Sequence, residues 1–262
     1  MPRRIAVHGH RGARAAMPEN TIAAFAYAID AGADYIELDT AVTEDDVVVA
    51  CHDPVLLRRR CKGPWGTRVV RKMTLERLRM FDCGTLGNRR FPKQARVPGA
   101  CIPTLEEVFA LAGRGKFRFN IEVKTTPHRR HTPPPEDYAR LVVEAIRKHK
   151  LVERVQVQSF DLRILRAVKR LDAAIPLAAL CQFPRRGFAA VAREAGAKVI
   201  GPYHRLVTEA KVERAHAAGI QVVPWTANRP RDWARLIRAG VDGIITDDPA
   251  GLIAFLKERG LR

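Results

Sequence analysis

Long apolar runs are missing from this sequence. No segment reaches the roughly 18 consecutive apolar residues that a membrane-spanning helix needs. The N-terminus is basic, but polar residues follow from His8 onward, at the place where a signal peptide carries its apolar segment. We therefore expect no transmembrane segment and predict a cytoplasmic location.

Clustered cysteines are missing as well. The chain has five, none of them in a Cys-x-x-Cys pair: Cys51, Cys61, Cys83, Cys101 and Cys181. An odd number of scattered cysteines predicts reduced thiols, and it argues against a disulfide framework or a zinc site. None lies in a motif typical of a catalytic cysteine, so we assign no cysteine to catalysis.

Acidic residues are scarce relative to basic ones, with 28 against 46 and a formal net charge of +18 at pH 7. Such an excess can mark a surface that binds nucleic acid or another polyanion, or it can simply be a solvated surface rich in arginine. The basic residues are spread along the chain, for example at Arg58–Arg60 and Arg89–Arg90, without a recognition-helix, RNP or zinc-finger pattern. We therefore expect no specific nucleic-acid partner, although the charge suits the attraction of an anionic substrate.

Apolar strand-like runs alternate with helix-period segments through most of the 262 residues. The predicted strands are Ile5–Gly9, Tyr35–Asp39, Phe117–Val123, Val155–Gln158, Pro176–Leu180, Lys198–Gly201, Gln221–Trp225 and Gly243–Thr246. The predicted helices cover 20–31, 104–113, 136–149, 161–171, 186–195, 208–218, 230–239 and 249–259. The first of them is predicted to begin with Asn20 as its N-cap, because Ile22, Phe25 and Ile29 follow at helical spacing.

Eight strands that are each followed by a helix predict an α/β fold, specifically a (β/α)₈ TIM barrel. Such barrels commonly form one domain of this size, so we predict a single domain over residues 1–262. An open, doubly wound sheet is the alternative, but no Gly-x-Gly-x-x-Gly follows the first strand.

Residues 55–101 interrupt this alternation because they are rich in Arg, Gly and Pro and lack clear periodicity. Structureless loops of that length are uncommon unless they are functional. We predict an insertion of about 45 residues that follows the second strand and its hairpin and lies over one end of the barrel. Its larger apolar residues would either line a groove or form a small core of their own: Trp65, Met73, Leu75, Leu78, Met80 and Phe81.

Acidic residues occur in two of the predicted strands where apolar ones would be expected. Glu37 and Asp39 are two residues apart and so face the same side of their strand, as do Glu122 and Lys124 in the next one. Active sites of TIM barrels lie at the C-terminal ends of the strands, where these residues fall. Clustered carboxylates are costly unless a cation joins them, so Glu37, Asp39 and Glu122 predict a divalent metal site.

A hairpin is predicted to bring His52 to the same place. The polar residues Thr43–Asp46 form a turn between two apolar runs, and the connection is too short for a parallel crossover. Antiparallel pairing across this turn places His52 opposite Leu38, within reach of Glu37 and Asp39.

A second histidine, His10, ends the first predicted strand with Arg11 beside it. A lone histidine in a strand is commonly a hydrogen-bonded core residue, and His8 keeps that interpretation. His10 instead arrives at the barrel end that carries the acids and His52, so we assign it to the site.

Eight short motifs follow one another along nearly the whole chain. They are HRG at His10–Gly12, PENT at Pro18–Thr21, IELD at Ile36–Asp39, HD at His52–Asp53, IEVK at Ile121–Lys124, QSF at Gln158–Phe160, WTAN at Trp225–Asn228 and DGIITDDP at Asp242–Pro249. In order and spacing they resemble the motifs of the glycerophosphodiester phosphodiesterase family, whose members are barrels with a segment inserted after the His-Asp motif.

The resemblance implies metal-dependent hydrolysis of small phosphodiesters to glycerol 3-phosphate and an alcohol. One Mg²⁺ or Ca²⁺ would be held by the three acids, and His10 and His52 would be the acid–base pair, with their order left open. Arg11 and Lys124 would contact the phosphate. Phe160 and Trp225 would form a wall of the glycerol pocket or, alternatively, cap the barrel as core aromatics.

Several points stay open at this stage. Glu19 and Asn20 are expected to cap the first helix and brace the loop that carries Arg11. A lysophospholipase D-type phosphodiesterase is one alternative function, and a non-enzymatic barrel that binds polyanions is another. The sequence does not specify the leaving alcohol, the metal in the cell, or the oligomeric state.

Overall fold

The computed structural model of the chain describes residues 4–126, 131–183 and 186–262. Within these ranges the strands are β1 (Ala6–Gly9), β2 (Tyr35–Val42), β3 (Val48–Ala50), β4 (Arg118–Val123), β5 (Val155–Ser159), β6 (Leu177–Cys181), β7 (Val199–Pro202), β8 (Gln221–Val222) and β9 (Gly243–Thr246). The helices are α1 (Ile22–Asp30), α2 (Leu75–Arg79), α3 (Leu105–Phe109), α4 (Pro135–Lys148), α5 (Leu162–Leu171), α6 (Phe188–Ala195), α7 (Glu209–Ala217), α8 (Pro230–Arg238) and α9 (Pro249–Lys257).

Eight of the strands form one parallel sheet in the order β8-β7-β6-β5-β4-β2-β1-β9. The two outer strands of this order meet, because the amides of Asp242 and Ile245 donate to the carbonyls of Val222 (2.9 Å) and Pro224 (3.0 Å). The sheet is thereby a nearly closed barrel, and the predicted α/β TIM-barrel fold is confirmed.

Most of the hydrophobic core lies between the barrel and its helices, where Val7, Leu38 and Ile121 pack with Phe25 and Tyr138. The alternate side chains of the strands point into the barrel, which contains polar groups as well as small apolar ones. His8 belongs to this interior: it is buried, stacks on Tyr35 and lies 3.4 Å from the Asn120 amide nitrogen. His8 is thus a core histidine, as expected.

The hairpin between β2 and β3 has the predicted register. Thr40 pairs with Ala50 and Val42 with Val48 in an antiparallel arrangement, and the Cys51 amide continues it by donating to the Asp39 carbonyl at 3.0 Å. This pairing carries the next residue, His52, to the C-terminal end of β2.

The predicted N-cap of the first helix was wrong by one residue. Thr21 is the N-cap of α1, and its hydroxyl accepts from the Ala24 amide at 3.2 Å. Asn20 has a left-handed backbone, with φ of 56°, and its side chain is directed to Asp39 instead. Because the Asn20 side chain is hydrogen-bonded to Asp39, it does not cap the helix.

The predicted insertion, residues 55–101, packs around a small hydrophobic cluster that also includes Ala41, Val49, Cys51 and Ile102. Met73, Leu78 and Phe81 are fully or almost fully buried in it, whereas Trp65 and Met80 are 82% and 58% exposed. Helix α2, which the sequence did not reveal, lies in this segment and is only five residues long. Met73, Leu78 and Phe81 therefore belong to a small core, whereas Trp65 and Met80 lie outside it.

The prediction that all five cysteines are reduced was wrong for one pair. Cys61 and Cys83 form a disulfide. Lys62 and Asp82 exchange backbone hydrogen bonds of 2.7 and 2.8 Å across an antiparallel bridge, so the residues next to them come face to face. Sequence spacing cannot reveal such a fold-back. Disulfides persist mainly in oxidising compartments, so the pair does not support the cytoplasmic location, which stays a prediction.

A search of the described residues for a helix long and apolar enough to cross a membrane finds none.

Candidate active site

The parallel register of β2 and β4 brings the three predicted acids together. Asp39 pairs with Glu122, and Glu37 lies two residues before Asp39 on the same face. One carboxylate oxygen from each acid lies within 4.8 Å of the others, and all three side chains are buried. Buried like charges this close repel one another strongly unless a cation joins them.

The first acid, Glu37, is held by neutral donors. Its two carboxylate oxygens accept from the Arg11 amide (2.8 Å) and from the Gln158 side chain (2.9 Å). Burial, followed by the negative charges of Asp39 and Glu122, raises the pKa of Glu37 well above its ordinary value. Glu37 is thus fixed in position by two hydrogen bonds, while its surroundings disfavour the ionised form.

The second acid, Asp39, has cationic partners. The Arg11 Nε lies 3.0 Å from its carboxylate, and Lys124 Nζ forms an ion pair with it. The side-chain amide of Asn20 donates a hydrogen bond to the same carboxylate at 2.9 Å. Burial alone would raise the pKa of Asp39, but Arg11 and Lys124 hold it well below the ordinary value. Asp39 is therefore the ionised member of the group.

The third acid, Glu122, has an unsatisfied atom. Its buried Oε1 has no hydrogen-bond partner among the described residues, and Lys124 Nζ approaches it only to 3.5 Å. Burial raises the pKa of Glu122 to about 7, with Lys124 opposing the rise and Asp39 adding to it. An orphaned buried oxygen in an all-carboxylate group fits a hard divalent cation, which binds oxygen ligands.

The first histidine of the site, His10, is hydrogen-bonded to the carboxylate of Asp247, a residue to which the sequence analysis assigned no role. His10 Nδ1 forms a 2.5 Å hydrogen bond with Asp247 Oδ1. Asn228 fixes Asp247 in turn, since its side chain donates to Oδ2 at 2.7 Å and accepts from the Asp247 amide at 2.9 Å. Because an ionised carboxylate only accepts, Nδ1 of His10 carries the proton and Nε2 faces away from Asp247.

The charges of this pair favour that assignment. Burial would raise the pKa of Asp247, but His10 and Arg14 lower it to about 2. Burial also lowers the pKa of His10, and Asp247 opposes that change. Asp247 and Asn228 belong to the DGIITDDP and WTAN motifs, so the sequence could have pointed to both residues. Their contact with each other, however, depends on β9 lying beside β8 in the barrel.

The second histidine, His52, has a similar but more open partner. Its Nδ1 lies 2.7 Å from Asp53 Oδ1, and the two side chains are 32% and 25% exposed. The corresponding values for His10 and Asp247 are 12% and 1%. Each histidine thus has an acid on Nδ1, and the two pairs differ mainly in their access to solvent.

A loop with an unusual backbone positions Arg11. Arg11 has φ of 52° and Gly12 has φ of 83°, and a Cβ atom on Gly12 would come within 2.5 Å of the Ala24 backbone. The HRG motif therefore needs its glycine. The turned backbone points the Arg11 amide at Glu37, while Glu19 Oε1 accepts from the Arg11 guanidinium at 2.7 Å. Glu19 and the Asn20 amide, which donates to the Arg11 carbonyl at 3.1 Å, brace this loop as expected, but neither residue is the N-cap of α1.

These elements surround a cavity of about 830 Å³. Of the nine residues predicted for the site, eight line it: His10, Arg11, Glu37, His52, Glu122, Lys124, Phe160 and Trp225. The ninth, Asp39, is fully buried among its partners. Phe160 is 45% exposed and meets Trp225 edge-on at 5.4 Å, so these aromatics form a wall of the cavity.

Comparisons with known proteins find relatives along nearly the whole chain. The model of the Glycerophosphoryl diester phosphodiesterase family matches residues 10–251. A Glycerophosphodiester phosphodiesterase of Caldanaerobacter subterraneus subsp. tengcongensis is 36% identical over 256 residues, which are 97% of this chain and 98% of that protein.

Solved structures share the fold. A crystal structure from Silicibacter pomeroyi has a TM-score of 0.93 and 32% identity, covering 99% of this chain and 95% of its own. An Oleispira antarctica phosphodiesterase, solved with the product sn-glycerol-3-phosphate, has a TM-score of 0.84 at 22% identity, with 97% of both chains covered.

Proposed function

Because the chain belongs to the Glycerophosphoryl diester phosphodiesterase family and is thus a glycerophosphodiester phosphodiesterase, we propose that it is metal-dependent and uses two histidines. Its products are glycerol 3-phosphate and an alcohol. The observation that carries the proposal is the meeting of three buried acids and two carboxylate-paired histidines around one cavity.

The metal site consists of Glu37, Asp39 and Glu122, with Mg²⁺ or Ca²⁺ as the ion. The orphaned Oε1 of Glu122 and the raised pKa values of two of the acids support this assignment. When bound, the ion neutralises charge on the phosphodiester, which otherwise repels a nucleophile.

Two cationic side chains bind the phosphate. Lys124 Nζ lies between Asp39 and Glu122 at the cavity wall and supplies a point charge. Arg11 also lines the cavity, and Glu19 and Asp39 fix the direction of its guanidinium. A preorganised charge of this kind stabilises the transition state without reorganisation during the reaction.

The two histidines transfer the protons. Asp247 and Asp53 hold Nδ1 of His10 and His52, so each ring offers Nε2 to the substrate. One ring removes the proton of the attacking hydroxyl while the other protonates the departing alcohol, and each transfer contributes about 10²–10⁴-fold. Phe160 and Trp225 provide an apolar wall against which the carbon side of the glycerol packs.

Residues 55–101 act in this proposal as an insertion within one catalytic domain. The Gln94 side chain joins them to the loop after β1, since it donates to the Arg14 and Met17 carbonyls at 2.7 and 2.9 Å. The insertion therefore packs against the segment that carries Arg14, a residue of the cavity lining.

A coupled assay for glycerol 3-phosphate tests the function. Glycerophosphocholine and glycerophosphoethanolamine are compared in this assay with each divalent ion in turn and with excess EDTA, and lysophosphatidylcholine is followed by choline release because its phosphate product keeps the acyl chain. We expect glycerol 3-phosphate only when a divalent ion is present. Release in excess EDTA would refute the metal dependence, and no release with any ion would refute the activity.

A further inference from the structure

A second cavity, of about 910 Å³, lies against the insertion. We call it the arginine groove, since half of the 14 residues that line it are arginines. Two of these, Arg14 and Arg60, have carboxylate partners. The others are exposed and have no ion pair among the described residues: Arg58, Arg59, Arg89, Arg90 and Arg96. No acidic residue of the described part of the chain lines the groove.

The groove and the active-site cavity meet at one residue, Arg14, which lines both. Its guanidinium contacts Glu19 at 2.5 Å and lies 3.9 Å from Asp247, the partner of His10. Phe91 of the insertion stacks on the same guanidinium, 5.5 Å from the ring centre. A ligand whose phosphodiester occupies the active-site cavity therefore reaches the arginine groove by passing Arg14.

Arginines and acids lie close together at this junction. Glu19 is the common partner of Arg11, Arg14 and Arg60. Each of the three also lies near a second carboxylate: Arg11 is 3.0 Å from Asp39, Arg14 is 3.9 Å from Asp247 and Arg60 is 3.7 Å from Asp53. The uncompensated positive charge is therefore that of the unpaired arginines beyond the junction, and it raises the local concentration of anions.

The backbone that carries the groove arginines is held by hydrogen bonds, although the arginine side chains extend into solvent. The Ala95 amide donates to the Ala16 carbonyl at 2.8 Å, and Asn88 Oδ1 accepts from the Arg90 amide at 3.0 Å. The Gln94 hydrogen bonds join the same two segments. Guanidinium groups presented from such a frame suit phosphate oxygens, which they bind in a bidentate, charge-assisted manner.

We propose that the arginine groove binds the leaving-alcohol part of the substrate, and that the preferred leaving alcohol carries a phosphate group. This inference rests on the proposed function. It adds the chemical class of the alcohol, since an arginine-lined groove without acids disfavours a cationic alcohol and favours an anionic one.

A matched pair of substrates tests the proposal. Glycerophosphoinositol and glycerophosphoinositol 4-phosphate differ by one phosphate on the leaving alcohol, and both release glycerol 3-phosphate. We expect kcat/KM to be about tenfold higher for the phosphorylated substrate at low ionic strength, and this preference to shrink as salt is added. Equal kcat/KM for the two substrates would overturn the proposal while leaving the proposed function intact.

Two triple variants locate the effect. The groove variant combines Arg59→Ala, Arg89→Ala and Arg90→Ala, which are exposed and take no part in the proposed chemistry. We expect it to reduce the preference to less than twofold, mainly by lowering kcat/KM for the phosphorylated substrate. The control combines Arg193→Ala, Arg214→Ala and Arg238→Ala, which remove the same charge from the C-terminal parts of α6, α7 and α8. The control should keep the preference, and a preference that survives in the groove variant would overturn the proposal.

Direct binding separates this proposal from the proposed function. If none of the glycerophosphodiesters, including glycerophosphocholine and glycerophosphoethanolamine, is hydrolysed, the proposed function fails, and titration calorimetry with inositol 4-phosphate still tests the groove. Binding by the wild-type chain that is at least fivefold weaker in the groove variant supports the groove, and equal affinity overturns it. Groove-dependent binding to phosphatidylglycerol vesicles without any substrate preference would also overturn it, because the surface would then bind membranes.

Discussion

The three acids of β2 and β4 (Glu37, Asp39 and Glu122, here called the acid group) and the arginine groove of the insertion carry opposite charges. They also differ in burial and in the regularity of the backbone that carries them. The acids are buried, and the register of two strands fixes their positions. The groove arginines are mostly exposed, extend from a segment with little regular structure, and include five without an ion pair among the described residues.

The difference follows from the cost of charge in the two places. A buried carboxylate is expensive unless it is paired, and both oxygens of Glu37 and of Asp39 have partners, whereas the buried Oε1 of Glu122 has no hydrogen bond among the described residues. Exposed arginines cost little and interact weakly one at a time. We infer that the strands supply the chemistry and the insertion supplies selection, and that substitutions in the two regions should differ accordingly.

The largest loss should come from the histidines at the barrel end. His10→Ala and His52→Ala should each lower turnover at least a hundredfold, because each removes a proton-transfer group. Metal affinity, measured by calorimetry, should stay within a few-fold of wild type. His149→Ala, on the outer surface after α4, is the control and should stay within twofold. Near-normal turnover in either site variant would remove that histidine from the mechanism.

A smaller loss is expected when a positioning residue changes. Asp247→Asn should lower kcat by about 10–100-fold with KM nearly unchanged, because Nδ1 of His10 loses its anionic acceptor, which orients the ring and stabilises its protonated form. Asp53→Asn, at the more exposed pair, should cost less. The two variants are compared by steady-state kinetics and by the pH dependence of kcat, which a purely structural defect would not alter in shape. If kcat falls by the same factor in both variants, the difference in burial between the His10–Asp247 and His52–Asp53 pairs has no effect on turnover.

The smallest effect on turnover should come from the disulfide of the insertion. Cys61 and Cys83 are 22 residues apart, and releasing a loop of this length should lower the free energy of unfolding by about 3 kcal/mol. The Cys61→Ser, Cys83→Ser double variant should nevertheless keep kcat within twofold where it is folded. Urea denaturation gives the stability, with Cys101→Ser as a control that leaves the disulfide intact. A large loss of kcat would show that the insertion also shapes the chemistry.

What the sequence could predict depended on periodicity. The alternation of strands and helices predicted the barrel, the two-residue spacing placed Glu37 and Asp39 on one face, and the short turn at Thr43–Asp46 fixed the hairpin that delivers His52. Each of these rests on the regular geometry of strands, which local sequence determines.

The features that escaped prediction depend on contacts between distant segments. The Cys61–Cys83 disulfide needs the insertion to fold back on itself, and the pairing of His10 with Asp247 spans 237 residues. Thr21 replaced Asn20 as the N-cap because the Asn20 side chain found Asp39. In each case the structure depends on a contact between residues that are far apart in the sequence, which local sequence patterns do not reveal.

Titration calorimetry with Mg²⁺ and Ca²⁺ on the wild-type chain, Glu37→Gln and Glu122→Gln is the most direct test of the metal site. We expect one ion per wild-type chain and at least tenfold weaker binding in each variant. In EDTA, the Tm of the variants should be equal to or above that of wild type, because each removes a buried acid whose pKa is raised. A wild-type chain that binds neither ion, or variants that bind as tightly as wild type, would contradict the account.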